Sequence, residues 1–149
     1  MPAYKGHIIG GTLVGVGGIV VADVFHLFKA SPTISLGLLA ITITGAIFPD
    51  IDTHSKGRPW VYGAFLLASL CLCYNELFKE AALLGMMAML PCLGGHRGWT
   101  HAFWAMLVVP LPLILAPMYF LGWDWQSTMP YYVAAVAGYA SHLILDKAL

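Results

Sequence analysis

Imidazoles and carboxylates recur at four places in this chain: His7, the Pro49-Asp50-Ile51-Asp52 segment, the His96-Arg97-Gly98-Trp99-Thr100-His101 segment, and Ser141-His142 followed by Asp146. These are the side chains that bind divalent cations with mixed nitrogen and oxygen ligation. His142 and Asp146 stand four residues apart, which on a helix puts them on one face about 6 Å from each other, within reach of a common cation or of a carboxylate orienting an imidazole. Asp50 and Asp52 follow a proline and are expected in an extended turn, where residues two apart point the same way. Two carboxylates held together are costly unless a cation lies between them. His96 and His101, five apart, would diverge by about 140° on a continuous helix. Gly94, Gly95 and Gly98 supply the break that would let them converge, and Thr100 is a good N-cap for a helix starting at His101. His54 is a further candidate donor, set in a Ser-Lys-Gly context that reads as exposed loop. Each feature alone has an ordinary structural reading: a self-satisfied helix-end pair, a solvated acidic turn, or an interfacial histidine.

The surrounding chain makes the ordinary readings hard to sustain together. Only 9% of the residues are charged and 60% are hydrophobic, so ionisable groups near hydrocarbon need a partner, a cation or a water-filled cavity. Apolar stretches run from about Ile8 to Phe28, Ile34 to Phe48, Val61 to Phe78, Ala81 to Leu93, Phe103 to Leu121 and Tyr131 to Leu145. The expectation is an all-α, polytopic membrane bundle of about six helices forming a single domain over residues 1–149, with the second and fourth short enough to be re-entrant. Lys5, an apolar run and Ala30-Ser31 imitate a secretory signal, but Asp23, His26 and Lys29 fall where a cleavage region would be small and neutral, so the first stretch reads as an uncleaved span. Gly10, Gly11, Gly15 and Gly18 form a small-residue stripe along it, suited to close approach of a neighbouring helix. A phosphate-binding loop is disfavoured there, because the Walker lysine is missing and no strand precedes.

Parity brings the four clusters together. If His7 opens the first helix on one face, the second helix returns to that face at Asp50, the fourth at His96, and the sixth at His142, while the fifth departs after His101. Asp23 and His26 lie roughly 24 to 28 Å from His7 along the first helix, too far to join them, and read as an interfacial pair. Glu76, Lys79, Glu80 and Asp124 read as solvated turns. Aromatic residues mark both interfaces, with Trp60 and Trp99 near the clusters and Tyr119, Trp123, Trp125, Tyr131 and Tyr132 near the other side. Lys5, Lys56, Arg58, Arg97 and Lys147 lie on the cluster side against Lys29 and Lys79, which places clusters and termini in the cytoplasm by the positive-inside bias. Seven basic residues balance seven acidic ones, so nothing favours nucleic acid as a partner. Cys71, Cys73 and Cys92 sit in apolar stretches and read as packing residues.

Taken in order, His7, Pro49-Asp50-Ile51-Asp52, His96-Arg97-Gly98-Trp99-Thr100-His101 and Gly138-Tyr139-Ala140-Ser141-His142 with Asp146 resemble the YdjM-like family of inner-membrane proteins. That family is described as LexA-regulated metal-dependent hydrolases, distantly similar to zinc-dependent phospholipase C and P1-type nucleases. The resemblance covers nearly the whole chain and implies that His7, Asp50, Asp52, His96, His101, His142 and Asp146 are the metal ligands. The chain departs from the family pattern at Thr53, where a His is common, at Ala102, where Ser is frequent, and in stopping three residues after Asp146; such a form suits a bacterial or phage-encoded minimal member. The leading expectation is a membrane-embedded hydrolase holding two or three divalent ions, zinc or manganese, and acting on a lipid or polyprenyl phosphoester. Asp52 would serve as base or bridge, Arg97 would offset charge on the transferred group, and Arg58 and Lys56 would assist in holding substrate. An ion or metal transporter and a non-catalytic module with a structural metal site are the alternatives.

Overall fold

A stripe of small residues brings three helices together, and this governs where the polar clusters end up. The computed structural model of the chain describes residues 4–28, 31–51, 58–89 and 99–148. Helix α1 spans Tyr4–Val24 and α2 spans Pro32–Ile47. After α2 come α3 (Arg58–Tyr74), α4 (Phe78–Met89), α5 (Phe103–Val108), α6 (Pro112–Leu121) and α7 (Trp125–Ala148). The all-α bundle of six helical segments is as expected once α5 and α6 are taken as one span, Phe103–Leu121. It divides at Val109–Leu111 because Pro110 and Pro112 have no N–H to continue the ladder.

Helix α2 starts cleanly. The Ser31 hydroxyl accepts a hydrogen bond from the Ile34 N–H at 3.3 Å, and Pro32 occupies the first turn, where its missing donor costs nothing. Its other end corrects the sequence expectation. The chain does not leave α2 in an extended turn but tightens into a 3-10 turn, Phe48–Asp50. Phe48 stays in the right-handed helical region at φ −55°, ψ −41° although a proline follows, against the usual steric preference. Burial of its ring against Tyr139, with Leu143 and Ala105 in the same core, holds it there. With this turn, Pro32–Asp50 reaches 19 residues and joins Tyr4–Val24 and Phe103–Leu121 as helices long and apolar enough to cross a membrane. The second stretch is therefore longer than its apolar run implies. Helix α4, with 12 residues, is about 18 Å long and remains too short to cross a hydrocarbon core of about 30 Å.

Helix α2 is central, flanked by α1 and α7. A Cβ on Gly138 would lie 2.0 Å from the Thr42 carbonyl oxygen, and one on Gly45 would lie 2.5 Å from that of Ala135, so α2 and α7 meet backbone to backbone. On the α1 side, Gly11 abuts Ala46 and Gly15 abuts Leu39 and Thr42. The α1 stripe thus serves as expected at Gly11 and Gly15, and Gly10 faces Leu145; Gly18, by contrast, has no described atom within 4 Å of where its Cβ would be.

Large apolar residues such as Ile9, Leu13, Leu66, Leu67 and Leu115 are exposed. In a chain of this composition such side chains face lipid, where no hydrophobic penalty attaches to them. Cys71 and Cys73 are also exposed, so they are lipid-side residues of α3 and not the packing residues expected; α3 buries only Val61. Cys92 falls outside the described residues.

At the end away from the clusters, α1 and α3 both close with Schellman bonding. Leu27 N–H bonds to Ala22 O with His26 at φ 52°, and Leu77 N–H bonds to Leu72 O with Glu76 at φ 61°. His26 and Glu76 are therefore helix-terminating residues in the left-handed region. Asp124 caps α7: its Oδ1 accepts the Ser127 N–H at 3.2 Å. Hydrogen bonding from Ser127, through its side chain first and its backbone N–H second, holds the Asp124 carboxyl below the usual carboxylate range. The cap starts α7 six residues before the apolar stretch read from sequence.

Candidate metal centre

Three imidazoles and two carboxylates from four separate segments meet at one end of the bundle. His7 comes from the first turns of α1, Asp50 from the 3-10 turn after α2, His101 from the 3-10 turn Trp99–His101, and His142 with Asp146 from the end of α7. The Nε2 atoms of all three histidines point at both carboxylates. From Asp146 they stand 3.4 Å away in each case, and from Asp50 they stand 3.6 Å (His101), 3.6 Å (His142) and 4.0 Å (His7) away. Donor atoms of Asp50, His101, His142 and Asp146 all lie within 4.8 Å of one another.

These separations discriminate between two readings. Charge-assisted N–H···O bonds would bring nitrogen and oxygen to about 2.7–2.9 Å. Donors that share a cation are held apart by it: bond lengths of about 2.0–2.2 Å in tetrahedral array put neighbouring donors about 3.4 Å apart. The three separations from Asp146 match the second distance, and those from Asp50 are somewhat wider. His7 and His142 also stack, ring centroids 3.9 Å apart and 20° from parallel.

The neighbouring helix α2 fixes the tautomer of His142. His142 is fully buried. Its Nδ1 lies 2.8 Å from the Ala46 carbonyl oxygen, and only the Nδ1–H form can donate there, which leaves the Nε2 lone pair facing the carboxylates. That Nε2 is buried with no hydrogen-bond partner among the described residues, an expensive condition that a cation relieves. The Ala46 carbonyl is within reach because Gly138 and Gly45 allow α2 and α7 to touch. His101 lies with its Nδ1 3.3 Å from the Thr100 hydroxyl, and the Thr100 carbonyl accepts a hydrogen bond from the Tyr139 hydroxyl. Thr100 is thus not the N-cap expected from sequence. The N-cap of α5 is Ala102, and Thr100 instead links His101 to α7.

Of the ligands expected from sequence, the structure brings together His7, Asp50, His101, His142 and Asp146. Asp52, His54, Lys56, His96 and Arg97 lie outside the described residues. Arg58 sits in the first turn of α3, with its guanidinium 5.5 Å from the centre of the Tyr62 ring. Sequence reasoning missed Tyr139, Thr100 and the Ala46 carbonyl as supports. Tyr139 stands three residues before His142, and that spacing on a helix is the signal that would have found it. Tyr139→Phe is expected to keep the packing of the ring and lose the hold on Thr100, loosening His101 and weakening metal binding about tenfold. Competition with a chromogenic chelator measures this, and an unchanged affinity would show that the hydroxyl does not position the ligand.

A bundle of membrane helices with a partly buried imidazole and carboxylate cluster at one end defines a polytopic membrane protein with a candidate metal centre. The chain belongs to the YdjM inner membrane protein family, whose model matches residues 1–148. No curated protein and no solved structure matches it.

Proposed function

We propose that the protein is a membrane-embedded, metal-dependent hydrolase of phosphoesters, with its site facing the cytoplasm. The observation that carries this reading is the convergence of donor atoms from Asp50, His101, His142 and Asp146 within 4.8 Å of one another, with His7 Nε2 3.4 Å from Asp146 beside them. The site also has an open side: the carboxylates of Asp50 and Asp146 and the ring of His101 are 27%, 16% and 15% exposed, whereas His7 and His142 are sealed in. A closed structural staple needs no such opening. Transporter sites lie near the bilayer midplane, but here the donors are at helix ends, His7 about 5 Å from the start of α1.

A divalent ion held there lowers the pKa of a water molecule and offsets charge on a phosphoryl oxygen. His142 is held in one orientation by the Ala46 carbonyl, and the ring of His7 stacks on it. Asp50, whose carboxylate is 27% exposed, takes up the proton of the attacking water, with Asp52 as the other base expected from sequence. As the water oxygen bonds to phosphorus, the bond from phosphorus to the ester oxygen breaks, and the proton taken up by the carboxylate passes to the departing alcohol. Arg97, Arg58 and Lys56 supply positive charge for the phosphoryl group. Asp52 and His96 are the donors for a second ion, zinc or manganese suiting the mixed ligation.

Phosphate release from phosphatidic acid, polyprenyl phosphate and a nucleotide, assayed with purified protein carrying its metal, tests the reading. Release from at least one substrate is expected, falling by about 100-fold or more in Asp50→Asn. Metal-loaded protein that hydrolyses none of them would contradict it.

A further inference from the structure

An elongated apolar cavity of about 410 Å³ separates α2 and α7 from α3, α4 and α6. Its wall on the α5–α6 side extends from Val109 to Leu121, about 18 Å along the helices. That length and volume leave room for one hydrocarbon chain side by side with nothing else. The lining is almost wholly apolar; the Thr44 hydroxyl, one of its few polar groups, is spent on the Ala40 carbonyl at 2.8 Å. Water would find few partners inside, and an empty space would forfeit the dispersion contacts of its walls. An apolar guest answers both costs, and the volume falls within the range of about 300–1,000 Å³ typical of ligand pockets.

The two ends differ. One is lined by Phe48 and Tyr139, whose rings are 6.1 Å apart. Phe48 precedes Asp50 by two residues and Tyr139 precedes His142 by three, so this end adjoins the cluster. The other end carries Glu80 and opens at Leu83 and Leu121, both exposed. An anionic headgroup is disfavoured beside Glu80 and favoured where a cation is bound, which orients the guest.

We propose that this cavity holds a hydrocarbon chain of the substrate, so that the substrate class is a lipid phosphate with its chain along α2 and α7 and its phosphate at the metal centre. This rests on the hydrolase reading for the headgroup and on the cavity alone for the chain.

The test uses full-length protein in phosphatidylcholine nanodiscs with hexadecyl phosphate bearing a diazirine near the chain terminus. Photolabelling is expected on the cavity-lining residues of α4 and α6, with excess unlabelled hexadecyl phosphate competing more strongly than hexadecanol. Ala116→Trp, which puts an indole into the cavity, is expected to lower labelling roughly tenfold with metal content unchanged, the latter showing that the bundle is intact. Labelling confined to lipid-facing positions such as Leu66 and Leu70, labelling that unlabelled hexadecyl phosphate does not displace, or crosslinks joining two copies through the cavity would overturn the proposal. Competed cavity labelling without phosphate release would uphold the chain site and remove the hydrolase reading. Release from water-soluble esters alone, with outward labelling, would do the reverse.

Discussion

His142→Ala is expected to leave a folded protein that no longer retains a divalent ion through purification, with affinity lower by on the order of 100-fold or more. Removing a group that only orients a ligand already costs about 10–100-fold, and His142 is a proposed ligand, its Nε2 3.6 Å from Asp50 and 3.4 Å from Asp146. The substitution also leaves the Ala46 carbonyl without its imidazole donor, so His142→Gln provides a second variant of similar length. His26→Gly is the control. It removes a histidine at the far end of α1, where the backbone is left-handed at φ 52° and glycine is tolerated, and metal content should not change. Elemental analysis of the purified variants decides the matter. Equal metal in wild type and His142→Ala would show that the cluster is not the binding site.

The second large effect comes from a residue that touches no ligand. Gly138→Ala would set a methyl group 2.0 Å from the Thr42 carbonyl oxygen and 3.1 Å from the Ala46 amide nitrogen, both backbone atoms that cannot swing aside. Helix α7 must then move off α2. Overpacking of this kind typically costs about 1–3 kcal/mol, and backbone contact on one side places this case at the upper end or beyond. The same movement pulls His142 from the Ala46 carbonyl, so metal affinity should fall together with thermal stability. Gly18→Ala is the matched comparison, because no described atom lies within 4 Å of its would-be Cβ; there the expected change is a stabilisation of about 0.5–1 kcal/mol. Thermal unfolding in detergent separates the two, and equal stability would mean that α2 and α7 do not approach as closely as described.

Much of this architecture was legible from the residues themselves. Charges are so few that the position of each is informative, and counting helix reversals between them put His7, Asp50, His101 and His142 on one side. The pair His142 and Asp146 followed from helical spacing alone, and the small residues of α1 marked the face that meets α2. Other features were hidden for identifiable reasons. The turn at Pro49 was read from a local steric rule, and burial of Phe48 overrides that rule. The division between α5 and α6 needed weight given to Pro110 and Pro112 inside an apolar run. Thr100 has the chemistry of a cap, and only the arrival of Tyr139 from 39 residues away shows that it serves His101 instead. The cavity was invisible because its lining comes from five helices, none of which has a sequence feature that announces an unfilled space.

The account depends on a cation held jointly by imidazole nitrogen and carboxylate oxygen. X-ray absorption at the metal edge of the purified full-length protein tests this most directly. The expected spectrum has a mixed nitrogen and oxygen shell at about 2.0–2.2 Å with outer-shell scattering from imidazole rings. A shell of sulfur, or of oxygen alone without imidazole scattering, would contradict it.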